Sequence, residues 1–194
     1  GYWPVSYSQI DPRFGKSEDL NNLISELHQK NTSIFLDYVA NHVHIEHPLI
    51  QQFPDWKTEL VLPDGSLNLE RWDEHRLTTW FDVFLPSLDL ENPVVREAVT
   101  DSALFWFKHF DLDGFRHDAT KHIPEDYWRL LSYKFKTKLS KDKARNIYQI
   151  GETYGGPELI SSYVSSGMLN AQFDFNLYDA ALRFFAADFD SIQS

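Results

Sequence analysis

Apolar residues recur at helical spacing in stretch after stretch of this 194-residue chain, and short unbroken apolar runs separate those stretches. Leu20, Leu23, Ile24 and Leu27 lie three or four apart behind Glu18 and Asp19. That spacing predicts a helix capped by Ser17 and closed by His28, Lys30 and Asn31. The run SIFLDYV (33–39) follows at once. Its length and continuous apolar character predict a strand covered on both faces, as in a parallel sheet. Asn92 then Pro93 reads as a cap with proline at the first helical position, and Val95, Ala98, Val99, Ala103, Trp106 and Phe107 carry the stripe onward. GFRHDA (114–119) is the next strand. A helix from about Glu125 to Leu139, a strand NIYQIGE, a helix from about Pro157 to Ser165, a strand AQFDF and a helix from about Leu177 to Ala187 complete the series.

Strands alternating with helices predict an α/β fold built of βα units around a parallel sheet. Glu152 follows Asp118 by about 34 residues, close to one such unit. Asp37 precedes Asp118 by more than twice that. The surplus lies in residues 44–84, which are rich in tryptophan and in turn signals such as Pro63-Asp64-Gly65. An insertion of that size in a tight unit is usually functional, and it is expected to form a small excursion over the sheet.

Composition narrows the partners. Eighteen basic residues against 29 acidic ones leave a net charge of -11, which argues against a nucleic-acid backbone or an anionic membrane and favours a neutral or cationic ligand. Of six Trp, nine Tyr and 15 Phe, most are expected in the core, and the surplus would supply stacking faces in a cleft. No cysteine is present, so neither disulfides nor thiolate metal sites arise. No apolar run is long enough to span a membrane, and no targeting segment is visible, which leaves the compartment open.

Polar residues cluster where three successive strands end: Asp37, Asn41 and His42; Arg116, Asp118, Lys121 and His122; Glu152. In sheets of this kind that edge is where sites are assembled from separate loops. Two carboxylates at neighbouring strand ends can be divided into two roles. Arg116 would hold one ionised while a partly desolvated partner keeps its proton, the division glycoside cleavage needs. Blander readings stand beside this one. Arg116 and Asp118 share a strand face and could be a structural ion pair, and Lys121 and His122 could be solvated surface. His42 and His44, with His47 three on, have metal-like spacing without a further ligand set, and a metal-dependent hydrolase on a similar barrel would use His42 and His44.

DYVANH (37–42), GFRHDATKH (114–122) and GET (151–153) resemble, in order, the first three sequence regions shared by the α-amylase family of glycoside hydrolases, family 13. LPSLD (85–89) is similar to the short region preceding the second, and GYWPVSYSQIDPRFG (1–15) to the stretch after the second barrel strand. The resemblance implies a (β/α)8 TIM barrel represented by about strands 3 to 6, with a short excursion domain after strand 3. The implied division is a partial barrel in residues 1–43, the excursion in 44–84, and the barrel continued in 85–194. It implies Asp118 as nucleophile, Glu152 as general acid and base, and Arg116 as the partner that orients and ionises the nucleophile. His42 would hydrogen-bond the sugar in the cleaved subsite, Tyr2 would stack on it, and Lys121 and His122 would meet the leaving-group side of an α-glucan such as starch or maltodextrin. Asn41 and the His122 carbonyl would help bind calcium, with an excursion carboxylate such as Asp55, Asp64 or Asp73, while Asp37 braces the strand end. Ala119, Lys121 and His122 look more like amylases and maltodextrin-cleaving relatives than like α-1,6-glucosidases.

The family's fourth region, an Asn-His-Asp carrying a third carboxylate, is absent from these residues. The chain is therefore expected to be an internal fragment of a longer enzyme, inactive alone and completed by further barrel segments. A non-catalytic amylase-like partner domain is the main alternative, against which the joint presence of Asp118, Glu152 and Arg116 speaks.

Overall fold

The computed structural model describes residues 2–186. Gly1, the expected helix end at Ala187 and the remainder of the 85–194 segment lie outside the described residues. Four strands, β1 (Phe35–Tyr38), β2 (Gly114–His117), β3 (Tyr148–Gly151) and β4 (Ala171–Gln172), form one parallel sheet in chain order. Helix α1 (Ser17–Gln29) precedes β1. After β1 come α2 (Pro48–Gln52) and α3 (Pro93–His109); α4 (Glu125–Lys138) and α5 (Lys141–Asn146) lie between β2 and β3, α6 (Pro157–Ser162) between β3 and β4, and α7 (Phe175–Ala186) last.

Local chemistry sets the ends. Asn92 Oδ1 accepts the Val94 N–H at 3.0 Å and Pro93 opens α3, as the sequence predicts. At α1 the cap is one residue earlier than expected. Lys16 is the extended residue and its N–H is taken by the Asp19 carboxylate at 2.7 Å, which leaves Ser17 inside the first turn. β4 is shorter than the expected AQFDF because Asp174 Oδ1 accepts the Leu177 N–H at 3.0 Å and turns the chain into α7. α2 and α5, at five and six residues, are too short to show a helical period and were not anticipated.

The two faces of the sheet differ. Tyr38, Phe115 and His117 point toward the helices, where Phe115 meets Tyr38 at 4.9 Å and Phe107 of α3 at 4.8 Å, and Phe107 meets Phe135 of α4 at 4.9 Å. Val95, Val99, Ala103, Tyr127, Trp128 and Leu131 fill the same layer. Each fully buried large side chain there contributes roughly 1.5–3 kcal/mol. Lys134 is buried in this layer too, its Nζ held by Asp101 at 2.7 Å and Glu97 at 3.0 Å, so α4 is pinned to α3 by charge as well as packing. The opposite face carries Phe35, Asp37, Arg116 and Tyr148, and Phe35, Asp37 and Tyr148 are exposed. The expectation that the first strand is covered on both faces is thus corrected: its alternate residues meet no second layer among the described residues.

Gly114 permits the close spacing of the first three strands at their start. A Cβ there would lie 2.0 Å from the Tyr148 carbonyl oxygen and 2.3 Å from the Phe35 ring. Residues 44–84 leave the sheet after β1 and return through antiparallel contacts, Val43 N–H to the Pro86 carbonyl and Ile45 N–H to the Phe84 carbonyl. Their own fastening is polar: the buried Trp80 indole N–H donates to the Thr58 carbonyl at 3.0 Å and the Asn68 amide to the Thr78 carbonyl at 3.1 Å. No helix among the described residues is long and apolar enough to cross a membrane.

Candidate active site

Parallel register places Asp37 opposite Arg116, so these side chains share the open face at the strands' C-terminal ends. Asp118 follows two residues after Arg116, and its N–H bonds the Tyr38 carbonyl. The chain then turns at Ala119, which adopts a left-handed conformation (φ 50°, ψ 39°) costing a non-glycine residue roughly 1–2 kcal/mol. A single helical turn, Thr120–His122, continues from it. Glu152, at the end of β3, is tied to the same backbone in both directions: its N–H bonds the His117 carbonyl and its carbonyl accepts the Thr120 N–H, each at 2.9 Å.

One guanidinium holds three carboxylates. Arg116 Nη1 donates to Asp37 Oδ1 and to Asp118 Oδ1, both at 2.8 Å, and Nη2 lies 2.7 Å from Glu152 Oε2. Burial works against the Arg116 charge, but its hydrogen bonds to Asp37 and Asp118 more than offset it, and its pKa stands above the ordinary value. Only 11% of the Asp118 side chain is exposed, against 33% for Glu152 and 43% for Asp37. Burial therefore pushes the Asp118 carboxyl up to about 6; Arg116 pulls the other way, and the charges of Glu152 and Asp37 add to the rise. This differs from the division expected between the pair. Arg116 does grip Asp118, yet it grips Glu152 as well, and Asp118 is the desolvated member.

That raised value has a measurable sign. A carboxyl near 6 in the fold and near 3.8 unfolded binds its proton more tightly when folded. Its contribution to stability is therefore complete below about pH 3.8 and is lost as pH rises through about 6, on the order of 2–3 kcal/mol. Thermal midpoints of the native chain and of Asp118→Asn, followed from pH 4 to 7, should differ most in the native chain's favour at pH 4. That advantage should shrink by several degrees by pH 7. A difference that does not vary with pH would mean that Asp118 titrates as an ordinary aspartate.

Around this centre the remaining predicted residues fall into two groups. Tyr2 lies over it, its ring centroid 5.5 Å from the Arg116 guanidinium carbon and its hydroxyl 3.4 Å from Asp37 Oδ2. The Asp37 charge, opposed by Arg116, raises its phenol pKa. His42 supports Tyr2 from behind: its Nε2–H donates to the Tyr2 carbonyl at 3.0 Å, which leaves Nδ1 to accept from the Asn41 amide at 3.5 Å. Burial drives His42 down to about 4, so the ring is neutral. Both nitrogens are engaged within the protein, and a sugar hydroxyl would have to displace one of them. His122 turns toward the 44–84 segment. Its Nδ1–H donates to the Arg76 carbonyl at 2.7 Å, and its ring meets Trp72 and Phe81 edge-on. Lys121 Nζ reaches Asp73 at 3.0 Å. His117, within the same charged motif, faces the opposite way and is buried against Trp128 and Gln149.

Sequence reasoning missed Phe81, which stacks on His42 at 4.3 Å, and Arg76, Trp72 and Tyr163, which grip the turn after Asp118. Only the aromatic richness of 44–84 hinted at the first and third. The histidine metal site is corrected: His44 Nδ1 accepts the Glu46 N–H, His47 Nδ1 accepts the Leu49 N–H, and His42 is engaged as above.

The calcium expectation can be set against the donor chemistry, which leaves Asn41 Oδ1 as the atom that would face an ion. Ser87 Oγ gives its hydrogen to the Thr79 carbonyl at 2.6 Å, so it must accept from the Asn41 amide nitrogen at 3.1 Å, and both amide hydrogens of Asn41 point into protein. Among the carboxylates proposed to join it, Asp73 is paired with Lys121 and Asp64 with Ser66. Among the described residues no group of three or more His, Asp or Glu is placed to hold a metal ion. Calcium takes six to eight oxygens, and two neutral oxygens do not supply them. No metal site is shown among the described residues.

Comparison with known proteins bears on the family of the chain. The family description "Alpha amylase, catalytic domain" matches residues 1–59 and 67–193. Alpha-amylase 3 of Dictyoglomus thermophilum is 32% identical over 94% of this chain and 38% of its own length, and the intracellular maltogenic amylase of Bacillus subtilis is 27% identical over 95% and 30%. Among solved structures, the alpha-amylase of Geobacillus thermoleovorans complexed with acarbose superposes with a TM-score of 0.79 at 30% identity, over 94% of this chain and 39% of that one. The chain spans about a third of the length of the curated relatives it matches. With the family pattern along nearly all of its residues and its four parallel strands forming part of a TIM barrel, the chain belongs to the alpha-amylase catalytic-domain family.

Proposed function

We propose that this chain carries the nucleophile and the acid/base of a retaining α-glucan hydrolase of amylase or maltodextrin-cleaving type. The observation that carries the reading is the single Arg116 guanidinium joining Asp118 and Glu152 at the C-terminal edge of the sheet. Opposite ends of one guanidinium favour the short separation of a retaining pair, about 5–5.5 Å, over the roughly 6.5–9.5 Å that an inverting water needs. The named relatives are amylases, which supports an α-glucan as substrate.

In this reading an Asp118 oxygen attacks the anomeric carbon while Glu152 gives its proton to the departing glycosidic oxygen. A glycosyl ester on Asp118 results. Glu152 then takes a proton from water, and the water oxygen displaces Asp118 with overall retention. Arg116 keeps the buried Asp118 carboxylate available as an anion and aimed at the open face. Glu152, one-third exposed, has room to turn from Arg116 toward a leaving oxygen. The half-exposed Tyr2 ring offers a stacking face beside them, with His42 holding its backbone. Lys121 and His122 sit toward the leaving-group side. Residues 44–84 act as a small domain that walls this side of the cleft, with the barrel segments 1–43 and 85–194 beneath it.

Trapping tests the reading directly. A slow fluorinated α-glucosyl donor, incubated with the longer enzyme containing these residues and followed by proteolysis and mass spectrometry, should leave a glycosyl mass on the peptide bearing Asp118. Labelling of a different carboxylate, or inverted product with no ester, would overturn it.

A further inference from the structure

Arg76 belongs to the 44–84 segment, yet all its specific contacts are with the barrel. Its Nη1 donates to the Lys121 carbonyl and, at 2.8 Å, to the Tyr163 hydroxyl just after α6. Its own carbonyl accepts from His122 Nδ1. Tyr163, itself buried, reaches the same Lys121 carbonyl at 3.4 Å. Three segments far apart in sequence thus meet at one arginine: the excursion, the turn after β2 and the end of α6.

The turn needs such a tie. It begins at left-handed Ala119, a conformation that persists only where the surroundings impose it, and it carries the Thr120 N–H that bonds the Glu152 carbonyl. We propose that Arg76 is the positioning residue that locks the Thr120–His122 turn, and through it the backbone between Asp118 and Glu152, so that this junction is held by a side-chain cation and not by a metal ion. The donor chemistry agrees. A guanidinium presents several N–H donors in a rigid fork suited to carbonyl oxygens, and its fixed positive charge disfavours a divalent ion near the neighbouring His122 carbonyl. The structural part stands without any assumption about catalysis; its relevance to turnover rests on the function proposed above.

The test compares the native 194-residue chain with Arg76→Met, which keeps length without charge, and Arg76→Lys, which keeps charge without the fork. In the native chain, a strong chelator and added calcium should each move the thermal midpoint by less than about 1 °C. In Arg76→Met, amide exchange at Thr120, His122 and Ile123 should accelerate about tenfold or more while α3 amides keep their protection, with Arg76→Lys between the two. A fall of several degrees on chelation would assign the junction to a metal. Unchanged protection of those three amides in Arg76→Met would remove the arginine's role. If Arg76→Met does not fold, the chelator arm and the Arg76→Lys exchange rates still decide. No arm measures sugar cleavage, so failure here leaves the roles of Asp118 and Glu152 untouched, and failure of those roles leaves this one standing.

Discussion

Replacing Asp118 by alanine in an enzyme that carries this chain is expected to lower kcat by roughly 10⁴-fold or more while leaving maltooligosaccharide affinity within a few-fold. A nucleophile contributes mainly as the new bond forms, so its loss falls on the transition state and little on the bound substrate. The site is also built to survive the change. Arg116 would keep Asp37 and Glu152 as partners, and the partly buried guanidinium would not be left without a counter-charge. Removing a carboxyl that burial already opposes spares the fold a cost. Steady-state kinetics and calorimetric titration of the two proteins check the expectation. A parallel collapse of affinity would make Asp118 a sugar-gripping residue, and turnover within tenfold of native would exclude it as nucleophile.

The 194 residues by themselves are expected to cleave a reactive maltooligosaccharide at least about 10⁴-fold more slowly than an enzyme with a complete barrel, although Asp118, Glu152 and Arg116 are all in place. The reason is visible on the open face of the sheet. Asp37 is exposed and Glu152 one-third exposed, Phe35 and Tyr148 stand exposed on the same face at the strands' N-terminal ends, and β1 and β4 each pair on one side among the described residues. Water at that face weakens each charge interaction that would stabilise an oxocarbenium-like state. The Asn-His-Asp stretch that would bring a third carboxylate is not among these residues. Assaying the purified chain beside its Asp118→Ala form settles the matter. Clear turnover that disappears with Asp118 would show that four strands suffice.

Much of the scaffold could be read from local order. Three- and four-residue spacing located α1, α3 and α4, because a helix buries one stripe and the stripe repeats along the chain. The same alternation of short apolar runs placed β1 to β3, and the polar residues following those runs marked the edge where Asp37, Arg116, Asp118 and Glu152 meet. Short motifs in a fixed order were enough to identify the family, since the residues that build this edge lie close to strand ends that recur at regular intervals. Helices of one or two turns escaped, because α2 and α5 contain too few residues to repeat a pattern.

What the linear pattern left open were quantities that depend on contacts between distant segments. Strand register decided that Asp37 shares Arg116 with Asp118, and the unequal depth of two strand ends decided that Asp118, not Glu152, is the desolvated carboxyl. The order of residues determined which groups stand at the sheet's edge. Only the tertiary structure decided which of them are buried, which cation each one meets, and that Arg76, 45 residues before Lys121, ties the turn after Asp118 to the excursion. Burial and ion pairing arise from how far the chain has folded back on itself, and that distance is not written in neighbouring residues.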